Sequence, residues 1–304
     1  MQLRVVTVPY RYDEWKDGLG AGPDAVLKAG LIERLQAVGV AVDGPREADL
    51  GAENRERGRT ALNIGRIGAR TAALVAEART SGQAVLVLAG DDTAAIGVLS
   101  GIERADGAGA RVGIVWLDAH GDFNTPETSY SGILAGMPLA ILAGLAGPLW
   151  REAAGLAATV PTDRMLVAGV RDLDEKEAEL LRSTDVRVVT ADELRSGDPF
   201  ATAVARLAER CDLLMLHIDA DVLDPRLVPS ASTPSANGLT IAEAAAAIAM
   251  VLSTGQVATV CLSSINPGAG ARGERSVASA VELLETALRE WQVIPPPREG
   301  QPPA

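Results

Sequence analysis

Short apolar runs alternate along this chain with longer segments in which apolar residues recur every three or four positions. Leu3 to Val8, Ala84 to Leu88, Val112 to Leu117, Met165 to Val170, Val186 to Val189, Leu213 to Ile218 and Val257 to Leu262 are almost continuously apolar. That is the pattern of strands covered on both faces. Between them lie alanine- and leucine-rich segments with helical spacing, among them Ala25 to Val38, Ile64 to Thr80 and Ala178 to Arg182. Thr240 and Glu243 form a capping box ahead of a helix over Ile241 to Leu252. Repeated strand–helix alternation predicts an α/β fold of three αβα layers around a central parallel sheet.

Composition adds bounds. The chain has 304 residues, 47% of them hydrophobic and 22% charged, which is enough apolar material for a large core. No Pro/Gly/Ser-rich linker divides the middle, so a single domain over residues 1–294 is expected. The segment 295–304 carries five prolines among ten residues and reads as a disordered tail. No stretch approaches the roughly 20 apolar residues that span a bilayer. Met1-Gln2-Leu3-Arg4-Val5-Val6 enters a strand-like run without the pattern of a signal peptide. The two cysteines, Cys211 and Cys261, are too few for a disulfide framework and read as small core residues. A cytoplasmic location is the resulting expectation. A net charge of -12 argues against nucleic acid or an anionic membrane as partner.

The candidate chemistry lies in two acidic clusters, Asp118-Ala119-His120-Gly121-Asp122 and Asp219-Ala220-Asp221, each directly after an apolar run. In a parallel sheet such positions fall at the carboxyl ends of strands, where ligands bind. Carboxylates buried there are strongly disfavoured without a cation. Oxygen-rich donors with one imidazole suit manganese, and two converging clusters offer enough donors for two ions. An isolated Asp-x-Asp is more often a solvated loop. Here two clusters would both need that explanation. His217 shares its strand face with Asp219 and Asp221, so it reads either as a satisfied core histidine, the preferred reading, or as a group approaching the metals.

Asp118 to Leu139 reads DAHGDFNTPETSYSGILAGMPL, and Ile218 to Pro229 reads IDADVLDPRLVP. Both resemble the metal-binding signatures of the arginase/agmatinase (ureohydrolase) family. The likeness extends to Gly20-Ala21-Gly22-Pro23 with Ala29-Gly30-Leu31, to Ala89-Gly90-Asp91-Asp92, to Gly169-Val170-Arg171-Asp172-Leu173-Asp174 and to Ile265-Asn266-Pro267. The resemblance implies an arginase-like fold, a trimeric or hexameric homo-oligomer, and one or two Mn2+ ions. It assigns metal positions to Asp92, Asp118, His120, Asp122, Asp219 and Asp221, with Asp118 and Asp219 bridging as the catalytic pair. Asn124, Ser131 and Asp174 match positions that bind the amino-acid end of a substrate. Equally open is a reading of Asn124 and Ser131 as turn residues and of Asp174 as a helix cap.

Four positions depart from the family pattern. Asp92 stands where a histidine ligand is expected. Ala135 replaces a histidine that shuttles protons, and alanine cannot do so. Ser264 replaces a glutamate that pairs with a guanidinium, and Ile133 replaces a further polar contact. The expectation is therefore a divergent hydrolase that cleaves a C–N bond of a small amino-acid-like substrate, amidino-, guanidino- or amide-type, by metal-bound hydroxide. Efficient release of urea from arginine or agmatine is not expected. The alternative is a catalytically silent paralogue that binds a ligand or regulates a partner subunit.

Overall fold

The computed structural model describes residues 2–107, 109–289 and 291, so the expectation for 295–304 lies outside the described residues. Among the described residues ten strands occur in chain order: β1 (Gln2–Val8), β2 (Tyr10–Arg11), β3 (Glu14–Trp15), β4 (Ala41–Glu47), β5 (Ala84–Ala89), β6 (Val112–Leu117), β7 (Met165–Val170), β8 (Arg187–Thr190), β9 (Leu213–Asp219) and β10 (Val257–Ser263). Eight of them form one sheet in the order β4-β1-β5-β10-β9-β6-β7-β8, and its pairings run parallel. β2 and β3 make a small separate antiparallel pair. The α/β expectation is met.

Side-chain alternation divides the core into two apolar layers. Val115, Leu117, Leu216, Ile218 and Leu262 face one layer, with the helices Leu31–Ala37, Ile241–Leu252 and Ala271–Leu288. Ile114, Trp116, Met215 and Cys261 face the other, with the helices Thr60–Thr80 and Ala95–Asp106. Cys211 and Cys261 are free and buried. The Thr240–Glu243 capping box is formed. Among the described residues no helix is long and apolar enough to cross a membrane.

Two features differ from the sequence reading. The helix expected over Ala25 to Val38 is broken into Gly22–Lys28 and Leu31–Ala37, because Gly30 adopts φ 86°, which favours glycine. β4 has no apolar run to announce it. It contains Gly44-Pro45, lies at the sheet edge and is largely solvent-exposed, where proline costs little pairing.

Strand order positions the site. After β5 the chain enters β6 three places away, and β9 and β10 later fill the gap. The carboxyl ends of four adjacent strands thus bring together Asp91 and Asp92, Asp118 to Asp122, Asp219 to Asp221, and Ser263 with Ser264. Crevices at such switch points are the usual ligand sites of open α/β sheets.

Candidate metal centre and substrate cleft

Asp118 follows β6 directly, and its backbone N–H is held by Ala168 O at 3.0 Å. Its Oδ1 accepts the His120 backbone N–H at 2.7 Å, and its Oδ2 accepts Trp116 Nε1–H at 3.0 Å. His120 Nδ1 lies 3.2 Å from both Asp118 Oδ1 and Asp221 Oδ2. Asp221 also accepts from Thr233 Oγ1 at 3.1 Å, and its backbone N–H donates to Asp219 Oδ1 at 2.6 Å. Asp92 enters from beyond β5. Its Oδ1 takes Ser263 Oγ at 2.6 Å and His217 Nε2 at 2.9 Å, and its Oδ2 takes Ser264 Oγ at 3.3 Å. Neighbouring Asp91 accepts the backbone N–H groups of Tyr12 and Thr93. Gly90 permits this crowding, since a Cβ there would collide with the Tyr10 carbonyl oxygen.

Two groups of donors result. Asp92, Asp118 and Asp122 each offer an oxygen within 4.8 Å of one another, as do Asp118, His120 and Asp221 with their oxygens and ring nitrogen. Asp118 belongs to both. Asp219 belongs to neither but lines the same cleft. All five aspartates are buried, and among the described residues none pairs with a lysine or arginine.

Electrostatics record the frustration of this arrangement. Burial, reinforced by the charges of Asp118, Asp92 and Asp219, pushes Asp122 well above the carboxylate range. Burial and then Asp221, Asp92 and Asp118 do the same to Asp219. Asp221 is raised to about 6 by burial and Asp118, against the pull of His120. Burial opposes charge on His120, yet hydrogen bonds to Asp118 and Asp221 carry it up to about 11. Asp118, despite burial, is held below the usual range by His120. Asp122 Oδ2 is buried without a hydrogen-bond partner. Such a set of buried anions, with a lone pair left open, fits divalent cations.

Beside the acids opens a cleft of about 400 Å3 that includes Asn124, Ser131, Asp174, Tyr130 and Ile133. Asn124 Nδ2 donates to Asp174 Oδ2 at 3.5 Å, and Asn124 Oδ1 accepts from Thr128 Oγ1 at 2.9 Å. Asp174 precedes the helix Glu175–Arg182, but its side chain makes no capping hydrogen bond. Ser131 is exposed, and its Oγ accepts the Ile133 N–H at 3.2 Å, as a turn residue does. A smaller chamber of about 200 Å3 shares Asp92, Ala135 and Asp219 with this cleft and has Ser264, Tyr12 and Arg11 in its wall.

His217 is fully buried, as a core residue should be, but it is not satisfied: Nδ1 has no partner, while Nε2 reaches Asp92. Three contributors escaped the sequence reading. Trp116 lies inside an apolar run, and Ser263 directly follows one, as the last residue of β10. Glu177 accepts the Phe123 N–H at 2.8 Å and lines the cleft. As an acid in the first turn of a helix it carries no sequence signal beyond the ordinary preference set by the helix dipole. Burial, opposed by that hydrogen bond, raises Glu177 to about 7.

Comparison with known proteins gives a consistent answer. A family model described as the arginase family matches residues 1–289. The arginase of Bacillus caldovelox is 31% identical over 297 residues, covering 95% of this chain and 98% of that protein. The crystal structure of arginase from Bacillus subtilis superposes with a TM-score of 0.82 at 30% identity, covering 95% of this chain and 98% of the other. Formimidoylglutamase from Bacillus subtilis, at 17% identity and a TM-score of 0.73 over 95% of this chain and 86% of its own, shares the fold.

Proposed function

The chain belongs to the arginase family, and we propose that within it this protein is a divergent metal-dependent hydrolase of a C–N bond in a small amino-acid-like substrate. The reacting end would be an amide, an amidine or a guanidine other than that of arginine or agmatine. The observation that carries the reading is the double donor set sharing Asp118, set beside a cleft that keeps Asn124, Ser131 and Asp174.

Asp92, Asp118 and Asp122 would hold one cation, and Asp118, His120 and Asp221 the other, with Asp219 beside them. When bound, two divalent cations supply Lewis acidity and make water a nucleophile at neutral pH. The chain does the rest. Asn124, Ser131 and Asp174 orient the amino-acid end, and Glu177 adds a carboxylate beside them. The reacting end then meets Ser264 and Ala135. Serine cannot give a guanidinium the bidentate partner that a carboxylate gives. The oxygen-rich donors favour manganese over zinc. A cytoplasmic setting and a trimeric or hexameric homo-oligomer complete the proposal.

A catalytically silent role remains the second reading, and one observation favours it. Of the two histidines in the chain, His120 sits among the acids and His217 is buried beneath them, so the cleft has no imidazole free to move a proton. Metal content after dialysis and again after incubation with manganese tests the centre, and turnover of an amide, amidino and guanidino panel tests the chemistry. About two ions per chain with turnover of a panel member is expected. No tightly held metal in an intact fold would remove the hydrolase reading, and efficient urea release from arginine would overturn the proposed substrate class.

A further inference from the structure

Trp116 on β6 and His217 on β9 are register partners on adjacent strands. Their rings stack with centroids 3.7 Å apart and planes 15° from parallel, and both side chains are fully buried. Each ring directs one nitrogen at a different carboxylate of the site. Trp116 Nε1 donates to Asp118 Oδ2 at 3.0 Å, and His217 Nε2 stands 2.9 Å from Asp92 Oδ1. Those carboxylates arrive after β6 and β5, strands separated in the sheet by β9 and β10. The stacked rings bridge that separation from below.

We infer that the Trp116–His217 stack is a positioning device that makes Asp92 usable as a cation ligand in the Asp92–Asp118–Asp122 group. The inference rests on the reading of that group as a cation site. Asp92 must stand among like charges, and an unrestrained carboxylate would turn away from them. Ser263 and His217 both fasten Oδ1, which leaves Oδ2 with only the long contact to Ser264 at 3.3 Å. Oδ2 is thus the oxygen free for a cation. Nδ1 is without a partner, so the ring's polar contacts all lie at Nε2, 2.9 Å from Asp92 Oδ1 and 3.2 Å from Ser263 Oγ, which itself bonds Asp92, and the indole face prevents the imidazole from tilting. The indole in turn fixes Asp118, the residue common to both donor groups. Partners behind a ligand commonly set metal affinity in this way. The resulting donor group contains oxygen alone, which selects a hard divalent cation such as manganese or magnesium over zinc.

The test is calorimetric titration of manganese chloride into full-length protein freed of metal by chelator dialysis. His217→Phe keeps an aromatic ring against Trp116 but loses the N–H, and should weaken one of two binding events about 10- to 100-fold while sparing the other. His217→Gln, which can still donate to Asp92, should recover part of that loss. Trp116→Phe should weaken both events, since Asp118 is shared. Unchanged manganese affinity in folded His217→Phe would overturn the inference, as would equal losses in His217→Phe and His217→Gln. Should His217→Phe fail to fold, unchanged affinity in Trp116→Phe overturns it instead. Wild-type protein that binds no manganese is a separate outcome, which removes the cation site itself and this inference with it.

Discussion

Glu177 Oε1 accepts the backbone N–H of Phe123 at 2.8 Å across 54 residues of sequence. The bond ties the Glu175–Arg182 helix to the Asp118–Asp122 turn, so a cleft residue also supports the turn that carries the acids. Both groups are buried. Glu177→Ala leaves the Phe123 N–H without a partner and should cost about 1–3 kcal/mol in denaturant unfolding. Glu177→Gln keeps an acceptor and should cost less than half as much. Equal losses in the two variants would mean that the bond does not hold the turn.

The acids predict an unusual pH profile for metal-free protein. Asp221 at about 6 and Glu177 at about 7 lie above their ordinary 3.8 and 4.5, so the folded chain binds more protons than the unfolded one. Stability must then fall as pH rises through that window. His120, held up to about 11 against 6.5, extends the fall above neutrality. The depressed Asp118 acts only below 3.8 and does not oppose it. The denaturation midpoint of metal-free protein should therefore drop between about pH 5 and about pH 8. Manganese should reverse the trend, because a ligand must lose its proton to bind. A flat metal-free profile would show that the acids are not buried together.

Asp122 offers a direct test of stored repulsion. Its Oδ2 has no partner, and three neighbouring aspartates raise it after burial does. Asp122→Asn removes the charge at nearly constant volume. Above neutral pH it should stabilise metal-free protein by about 1–3 kcal/mol, in line with other replacements of buried charge. The same change should lower manganese stoichiometry by calorimetry. Destabilisation together with undiminished metal binding would contradict the assignment.

Legibility in the sequence followed burial. β5, β6, β7 and β10 are buried on both faces, so their apolar runs read as strands at nearly their observed bounds. β4 is an exposed edge and carried no such signal. Asp118, His120, Asp122 and Asp221 were legible because acids that interrupt apolar runs need a reason. His217 was half legible: strand parity gave its face, but not that β5 would carry Asp92 to within 2.9 Å of its Nε2. Trp116 and Ser263 could not be singled out, since their roles depend on strands far apart in sequence.

The proposed substrate class makes Ser264 and Ala135 the positions to test for action on a guanidinium. Ser264 follows β10 with φ 66°, and its hydroxyl lies 3.3 Å from Asp92 Oδ2. Ala135 contributes only a methyl group to the chamber of about 200 Å3 between them. On the proposed reading, binding and proton transfer are affected at separate positions, and the two effects should separate in kinetics. Ser264→Glu supplies a carboxylate to a guanidinium in the chamber and should chiefly lower KM for arginine, since it adds binding without a proton carrier. The backbone there is already left-handed with serine, so glutamate adds little new strain. Ala135→His should chiefly raise kcat, by about a hundredfold or more if it regains general acid–base transfer. The manganese-loaded double variant should release urea from arginine well above either single variant. Robust urea release by the unaltered chain, or a double variant no better than its parent with metal content intact, would show that these two positions do not set the specificity.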